Sequence, residues 1–203
     1  HGDDNGLVLP PAVAPIQAIV VPVAQHKEGV LEKANELTER LKKVCRAKID
    51  DSDNSPGWKF AEYEMKGVPV RVEIGPKDIE KNQCVVVTRH NREKTFVSLD
   101  DIETVILEKL EEVRQGLYDS ALENRERRTY VAKTLDDITK QLEEHGDGFV
   151  KAMWCGSEEC EEKVKEITGV GSRCIPLEQE NLSDKCVCCG KPAKTMVYWG
   201  KAY

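Results

Sequence analysis

The chain has no apolar stretch approaching the roughly 20 residues that a helix needs to cross a bilayer, which excludes a helical membrane span. It has no excess of positive charge. The formal net charge is −7, so a protein that coats nucleic acid nonspecifically is excluded, although a local basic patch is not. It has no Gly-rich phosphate loop, no G-x-S-x-G and no H-E-x-x-H, and its four histidines, at positions 1, 26, 90 and 145, stand apart in different elements. Cys45 and Cys84 fall within apolar patterns, which suits core packing and not a reactive thiolate. Taken by its residues, the chain reads as non-catalytic.

What remains is the composition of a folded protein: 203 residues, 33% charged and 39% hydrophobic, enough for one large or two small domains. There is no charged-then-apolar leader. The start on His1 and the polar HGDDNG that follows lead us to expect a piece of a longer protein. Eight cysteines without a secretion signal point to a reducing compartment, where clustered cysteines serve more often as metal ligands than as disulfides.

Periodicity sets out an α/β pattern. AIVVPV (18–23) reads as a buried, parallel strand, and Val30, Leu31, Ala34, Leu37, Leu41 and Val44 predict a helix from about Glu28 to Arg46. A short strand at Ala47 to Ile49 leads into the turn DDSDNSPG. A helix over Lys59 to Lys66 closes at Gly67, and Val68 to Ile74 alternates as a strand. Strands are expected at Gln83 to Arg89 and Lys94 to Val97, then a long helix capped by Ser98 or Asp100 and running to about Arg127. This gives a mixed five-stranded sheet with flanking helices. A smaller α+β unit follows from residue 129, with helices at Thr134 to Glu144 and Ser157 to Thr168. Its strands are expected at Gly148 to Trp154, SRCIPL and KTMVYWGK. A core that small calls for a staple.

The cysteine spacing supplies one. Cys155 and Cys160 form one short-spaced pair, and Cys186 and Cys189 a second, followed by Gly190 as in a knuckle whose amides turn toward the sulfurs. Two such pairs can close the tetrahedral site that zinc prefers, as a structural centre without an open position. Cys188 competes with Cys189, and Cys174 is expected to face the core.

The stretch from Asp50 to Asp78 carries the densest mix of turn residues, cations and aromatics. Trp58, Phe60 and Tyr63 could stack an unpaired base, although Trp58 and Phe60 suit packing better. Lys59, Lys66, Arg71 and Lys77 could hold phosphates, and Arg71 and Glu73 share one face of their strand.

GLVLPP, SPGWKF, EMKGVPVRVEIGPKD, RCIPL, CVCCGKPAK and the terminal WGKAY, in that order, resemble the C-terminal half of prolyl-tRNA synthetases of the eukaryotic and archaeal type, which are class II enzymes. The resemblance covers essentially the whole chain. It implies three segments: residues 1–14 as the tail of an absent catalytic domain, 15–128 as an α/β anticodon-binding domain of the class IIa fold, and 129–203 as a zinc-binding domain. The ligands would be Cys155, Cys160 and the Cys186 pair. It also implies tRNA(Pro) as partner, and ATP, Mg²⁺ and proline as ligands of the absent domain only. The parent would be a homodimeric cytoplasmic ligase without membrane attachment, and Tyr203 would reach toward its active site. Two departures narrow the contacts. Ala12 stands where the family has Arg, and DDSDNSPG is one residue short, with Ser52 near another Arg position. That leaves Lys59, Lys66, Arg71, Glu73 and Lys77 as the expected tRNA-binding residues. The expected alternative is a zinc-stabilised interaction module or synthetase paralogue without RNA binding.

Overall fold

The computed structural model describes residues 1–202, which fall into two compact units divided between Asp119 and Ser120. In the first unit, β1 (Gly2–Asp3) and β2 (Gly6–Leu7) form a small hairpin. Then follow β3 (Ala18–Pro22), α1 (Val30–Leu41), β4 (Ala47–Ile49), α2 (Pro56–Met65), β5 (Val70–Ile74), α3 (Pro76–Glu80), β6 (Gln83–Thr88), β7 (Lys94–Ser98) and α4 (Ile102–Arg127). Beyond the hairpin, the five strands make one mixed sheet in the order β4-β3-β5-β6-β7. β3 is parallel to β4 and β5, and the β5-β6-β7 side is antiparallel.

The two sheet faces differ. Val20, Val70, Val72, Ile74, Cys84 and Val86 point to one side. There they pack with Ala34, Leu37 and Leu41 of α1 and Ile102, Ile106, Leu110 and Val113 of α4. Burial raises the Cys45 thiol to about 11 and Cys84 to about 12, as suits inert packing. On the other side Ile19 and Val21 of β3 are covered by Tyr63, Val68 and the half-buried Phe60 from α2 and its exit, Arg71 and Val87 are buried as well, and exposure rises toward β7.

Local chemistry moves several element boundaries away from the periodic expectation. α1 ends at Leu41, not near Arg46, because residues 42–45 tighten into a turn and the Arg46 guanidinium is drawn aside to the carbonyls of Pro11 and Ala14. α2 begins a turn earlier than expected. The Ser55 hydroxyl accepts from the Trp58 N–H at 3.4 Å and Pro56 occupies the first turn, where its missing N–H costs nothing. α3 was not expected; the Asp78 carboxylate accepts from the Gly75 N–H at 2.9 Å and starts it. The compact units divide inside α4, after its buried stripe ends at Val113.

The second unit holds β8 (Thr129–Val131), α5 (Leu135–His145), β9 (Phe149–Trp154), α6 (Glu158–Thr168), β10 (Val170–Cys174) and β11 (Thr195–Lys201), with the sheet order β10-β11-β9-β8. β8 is an unexpected parallel edge strand. Thr134 and Asp137 form a capping box on α5. Trp199 lies at the centre of a core with Ile138, Val150, Val164 and Val170. Cys174 is exposed, contrary to expectation, because a register shift between Ser172 and Cys174 breaks the alternation of β10. Among the described residues no helix is long and apolar enough to cross a membrane.

Two glycines knit the N-terminal hairpin to the first unit. Gly6 has φ +127°, and a Cβ there would lie 2.5 Å from the Met65 Cα; a Cβ on Gly67 would lie 2.7 Å from Leu7. Gly6→Ala is expected to lower the stability of this unit by about 2 kcal/mol, through the forbidden backbone conformation and the clash. Urea unfolding with hydrogen exchange at Leu9, whose N–H donates to Gly67 O at 3.2 Å, checks this; an unchanged midpoint and unchanged Leu9 protection count against it.

Candidate nucleic-acid interface and metal centre

On the face that α2 half covers, strand pairing aligns four rows: Ile19 and Val21, then Arg71 and Glu73, then Val87 and Val85, then Lys94 and Phe96. α2 shields the first row. The last is open, and Phe96 is 68% exposed in the middle of β7. The Arg71 guanidinium sits between the two halves. It lies 4.1 Å from the Phe60 ring centre and donates to Glu73 at 3.0 Å and to Glu64 at 3.2 Å. Lys94 Nζ is 3.9 Å from Glu73. The result is two carboxylates, Glu73 and Glu64, fixed by Arg71 and, two strands from Glu73 on the same face, an exposed aromatic ring on the outer strand β7.

Behind this row, Arg89 is 4% exposed. It donates through Nε to Glu64 O at 2.9 Å and pairs in bidentate fashion with Asp3 at 2.7 and 2.8 Å. These hydrogen bonds from Arg89 hold the Asp3 carboxyl well below the usual carboxylate range.

The five expected contact residues do not form one patch. Lys59 is 1% exposed. Its ammonium donates to Asp50 O at 2.8 Å and Gln25 Oε1 at 3.1 Å and lies 3.6 Å from the Asp50 carboxylate, so it has no path to a phosphate. Arg71 is likewise buried and spent on carboxylates, which makes it an orienting group and not a phosphate clamp. Glu73 is at the edge of the open face. Lys66 and Lys77 are exposed but flank opposite ends of β5, whose five residues span about 16 Å. Lys66 also pairs with Glu62 at 2.6 Å. Trp58, expected to pack, is 50% exposed, whereas Tyr63 is buried and its hydroxyl is pushed up to about 12 by desolvation. Phe96 was not anticipated. Its signal in the sequence is an aromatic out of phase with its buried neighbours Val97 and Leu99.

In the second unit the sulfurs of Cys155, Cys160, Cys186 and Cys189 all lie within 4.8 Å of one another, with Cys189 and Cys155 at 3.8 Å. Four thiolates at 2.3 Å from one centre, tetrahedrally arranged, are about 3.8 Å apart, so this donor set can hold a metal ion. The Ser157 N–H faces Cys155. That of Lys191 faces Cys189 and, with the neighbouring thiols, brings it down to about 7. Cys188 is half-buried and packs with the two cores of this unit. Tyr203 lies outside the described residues.

Comparison with known proteins adds a second line. Residues 135–203 match the family described as "Prolyl-tRNA synthetase, C-terminal", and residues 17–109 match "Anticodon binding domain". Over all 203 residues the chain is 64% identical to the proline–tRNA ligase of Ruminiclostridium cellulolyticum and 61% identical to that of Clostridium novyi. It spans 42% of the length of each of these relatives.

The Lys59 environment makes its own prediction. Removing the ammonium takes away the donor to the Asp50 carbonyl and leaves the buried Asp50 carboxylate, still accepting from the Ser52 N–H at 3.0 Å, without its counter-cation, which costs about 3–5 kcal/mol. Lys59→Ala is therefore expected to destabilise the first unit by that order, measured by urea unfolding followed by far-UV circular dichroism. A variant as stable as the parent rules out the buried pair.

Proposed function

The chain belongs to the prolyl-tRNA synthetase family, of which it is a C-terminal part, and from that premise we propose that it reads the anticodon of a proline tRNA. The observation that supports this reading is the exposed ring of Phe96 on the outer strand β7, on the same sheet face as Glu73, whose carboxylate Arg71 orients together with that of Glu64. Proline codons begin with two cytosines, so the anticodon presents two guanines. Each guanine carries N–H donors on its pairing edge, which a fixed carboxylate such as Glu64 or Glu73 accepts, while the ring of Phe96 stacks a splayed base. Lys94 and the exposed Lys66 and Lys77 are placed to meet the backbone from the margins, as positioning contacts without sequence information.

For the parent protein this reading implies a cytoplasmic, homodimeric proline–tRNA ligase of the eukaryotic and archaeal type. Its catalytic domain, with ATP, Mg²⁺ and proline, lies outside this chain, and this part alone would not aminoacylate. Residues 1–14 belong with that domain, 15–128 with anticodon reading and 129–203 with the metal-binding domain, whose Tyr203 reaches toward the active site. The metal at Cys155, Cys160, Cys186 and Cys189 is zinc. Its role is structural, because four thiolates leave no open position. When bound, it cross-links α6 to the segment before β11.

Titrating the chain with proline tRNA and with an anticodon-swapped variant tests the reading. The cognate tRNA is expected to bind tighter. Phe96→Ala should weaken it by about 1–3 kcal/mol, the usual loss of one stacked base, and Glu64→Gln should narrow the gap between the two tRNAs. Equal affinity of the parent chain for both tRNAs removes the anticodon claim. For the metal, Cys160→Ser is expected to abolish a one-to-one zinc content, read by atomic emission, and to lower the melting temperature of the second unit. Metal-free protein with unchanged melting would overturn it.

A further inference from the structure

The second unit carries a cleft of about 750 Å³ that neither the metal cluster nor the sheet face of the first unit uses. Its walls hold four cations, Arg125, Arg128, Arg173 and Lys201, and among the described residues one carboxylate, Asp147. In a chain with a net charge of −7 this concentration is out of character. Two of the cations are held in place. Arg173 donates from Nε and an Nη to Gly200 O, at 3.1 and 2.8 Å, and Arg128 is locked to Asp147. That pairing leaves the charge of the cleft positive through Arg125, Arg173 and Lys201.

The floor is backbone. Gly148 has φ +122° and sits directly against Arg128 O, and a Cβ on Gly200 would lie 3.3 Å from the Phe149 ring. At both points the place of a Cβ is taken by the protein's own atoms, so the glycines let the segments lining the cleft pack closely. Phe149 is 40% exposed and braced edge-on by Tyr198, with ring centres 6.2 Å apart and planes at 80°, so one face of its ring is fixed toward solvent. A cationic wall and one braced, half-exposed ring within a volume typical of small-ligand sites match a phosphate joined to a flat heterocycle.

We propose that this cleft is a nucleoside-phosphate site, with Arg125 and Lys201 on the phosphate and Phe149 against the base. The nucleotide can come from a single-stranded RNA segment or from a free mononucleotide. The proposal does not rest on anticodon reading, which is assigned to the first unit.

The test titrates the full 203-residue chain with adenosine 5′-monophosphate and, separately, with a single-stranded pentaadenylate RNA, by calorimetry at two salt concentrations. At least one probe is expected to bind. The double variant Arg125→Gln/Lys201→Gln is expected to weaken that probe at least tenfold, and Arg125→Lys/Lys201→Arg to retain binding. An RNA source shows as tighter pentamer binding, with a salt slope that falls by about 1.4 in the double variant, at about 0.7 per phosphate contact on a single strand. A free-nucleotide source shows as equal or tighter binding of the monophosphate. Failure of both probes to bind, or double-variant binding equal to the parent's, overturns the proposal and leaves the reading of the first unit where it stands.

Discussion

Five strands share one face with a single short helix, and the rest of the first unit follows from that mismatch. Strands lie about 4.8 Å apart, so the sheet is roughly 20 Å wide, while a helix with its side chains is about 10 Å across. The opposite face meets the requirement with two helices, α1 and α4, and buries the apolar residues of β3, β5 and β6, with Ala47 and Ile49 of β4 partly covered. On this face α2 shelters the β3 side most fully, and the sequence changes accordingly from Ile19 and Val21 to Arg71, Glu73, Lys94 and Phe96. Arg71 is buried against its carboxylates and Phe60, and an exposed cation such as Lys94 is ordinary. An exposed phenylalanine in mid-strand is not, because it forgoes the burial that phenylalanine ordinarily contributes to stability. A ligand that stacks on it supplies a reason for its presence.

Buried cations then fix the edges of that surface. Lys59 holds the acidic turn to α2 through Asp50, and Arg71 fixes Glu64 and Glu73. Arg89 ties the last turn of α2 to Asp3. Glu64 belongs to two of these sets: its carboxylate faces Arg71 while its carbonyl faces Arg89. The N-terminal hairpin therefore touches the same helical turn that orients the open face. None of these charges is free to act as a phosphate clamp, since each is already neutralised where it lies. In a low-dielectric site, removal of either partner strands the other.

Much of this was legible in the sequence. The alternation of VPVRVEI and the β-branched AIVVPV identified β5 and β3, the 3.6-residue stripes identified α1 and α4, and the paired cysteines pointed to the four sulfurs that cluster closely enough to hold a metal ion, because each is a short-range pattern with one dominant periodicity or spacing. What stayed hidden depends on tertiary partners. Lys59 reads as a surface cation until Asp50 and Gln25 close over it. Trp58 reads as core until Ser55 and Pro56 set the start of α2 and turn it outward. β8 is three residues long and exists only because β9 lies beside it in parallel, a pairing with no local signature. Cys188 and Cys189 compete in the sequence, and the structure separates them: the Cys189 sulfur joins the cluster while Cys188 packs into the cores.

The second unit shows why its cysteines stand where they do. Between β10 and β11 runs a segment, residues 175–194, whose only strand-like pairing is the isolated bridge from Lys185 to Pro192. A connection of that length is too costly in entropy to hold itself in a small domain. Leu177 is fully exposed and Ile175 largely so, which means that apolar burial does not hold the first part. Cys186, Val187 and Ala193 are buried, so the segment is pinned late, where the cysteine pair meets Cys155 at the end of β9 and Cys160 in α6. Those thiols and Met153 and Met196 form a second small core, and the apolar contacts within it are few. A metal ion held at its centre would add four short bonds among three separate chain segments, the connectivity that hydrophobic contact in a unit this small cannot supply.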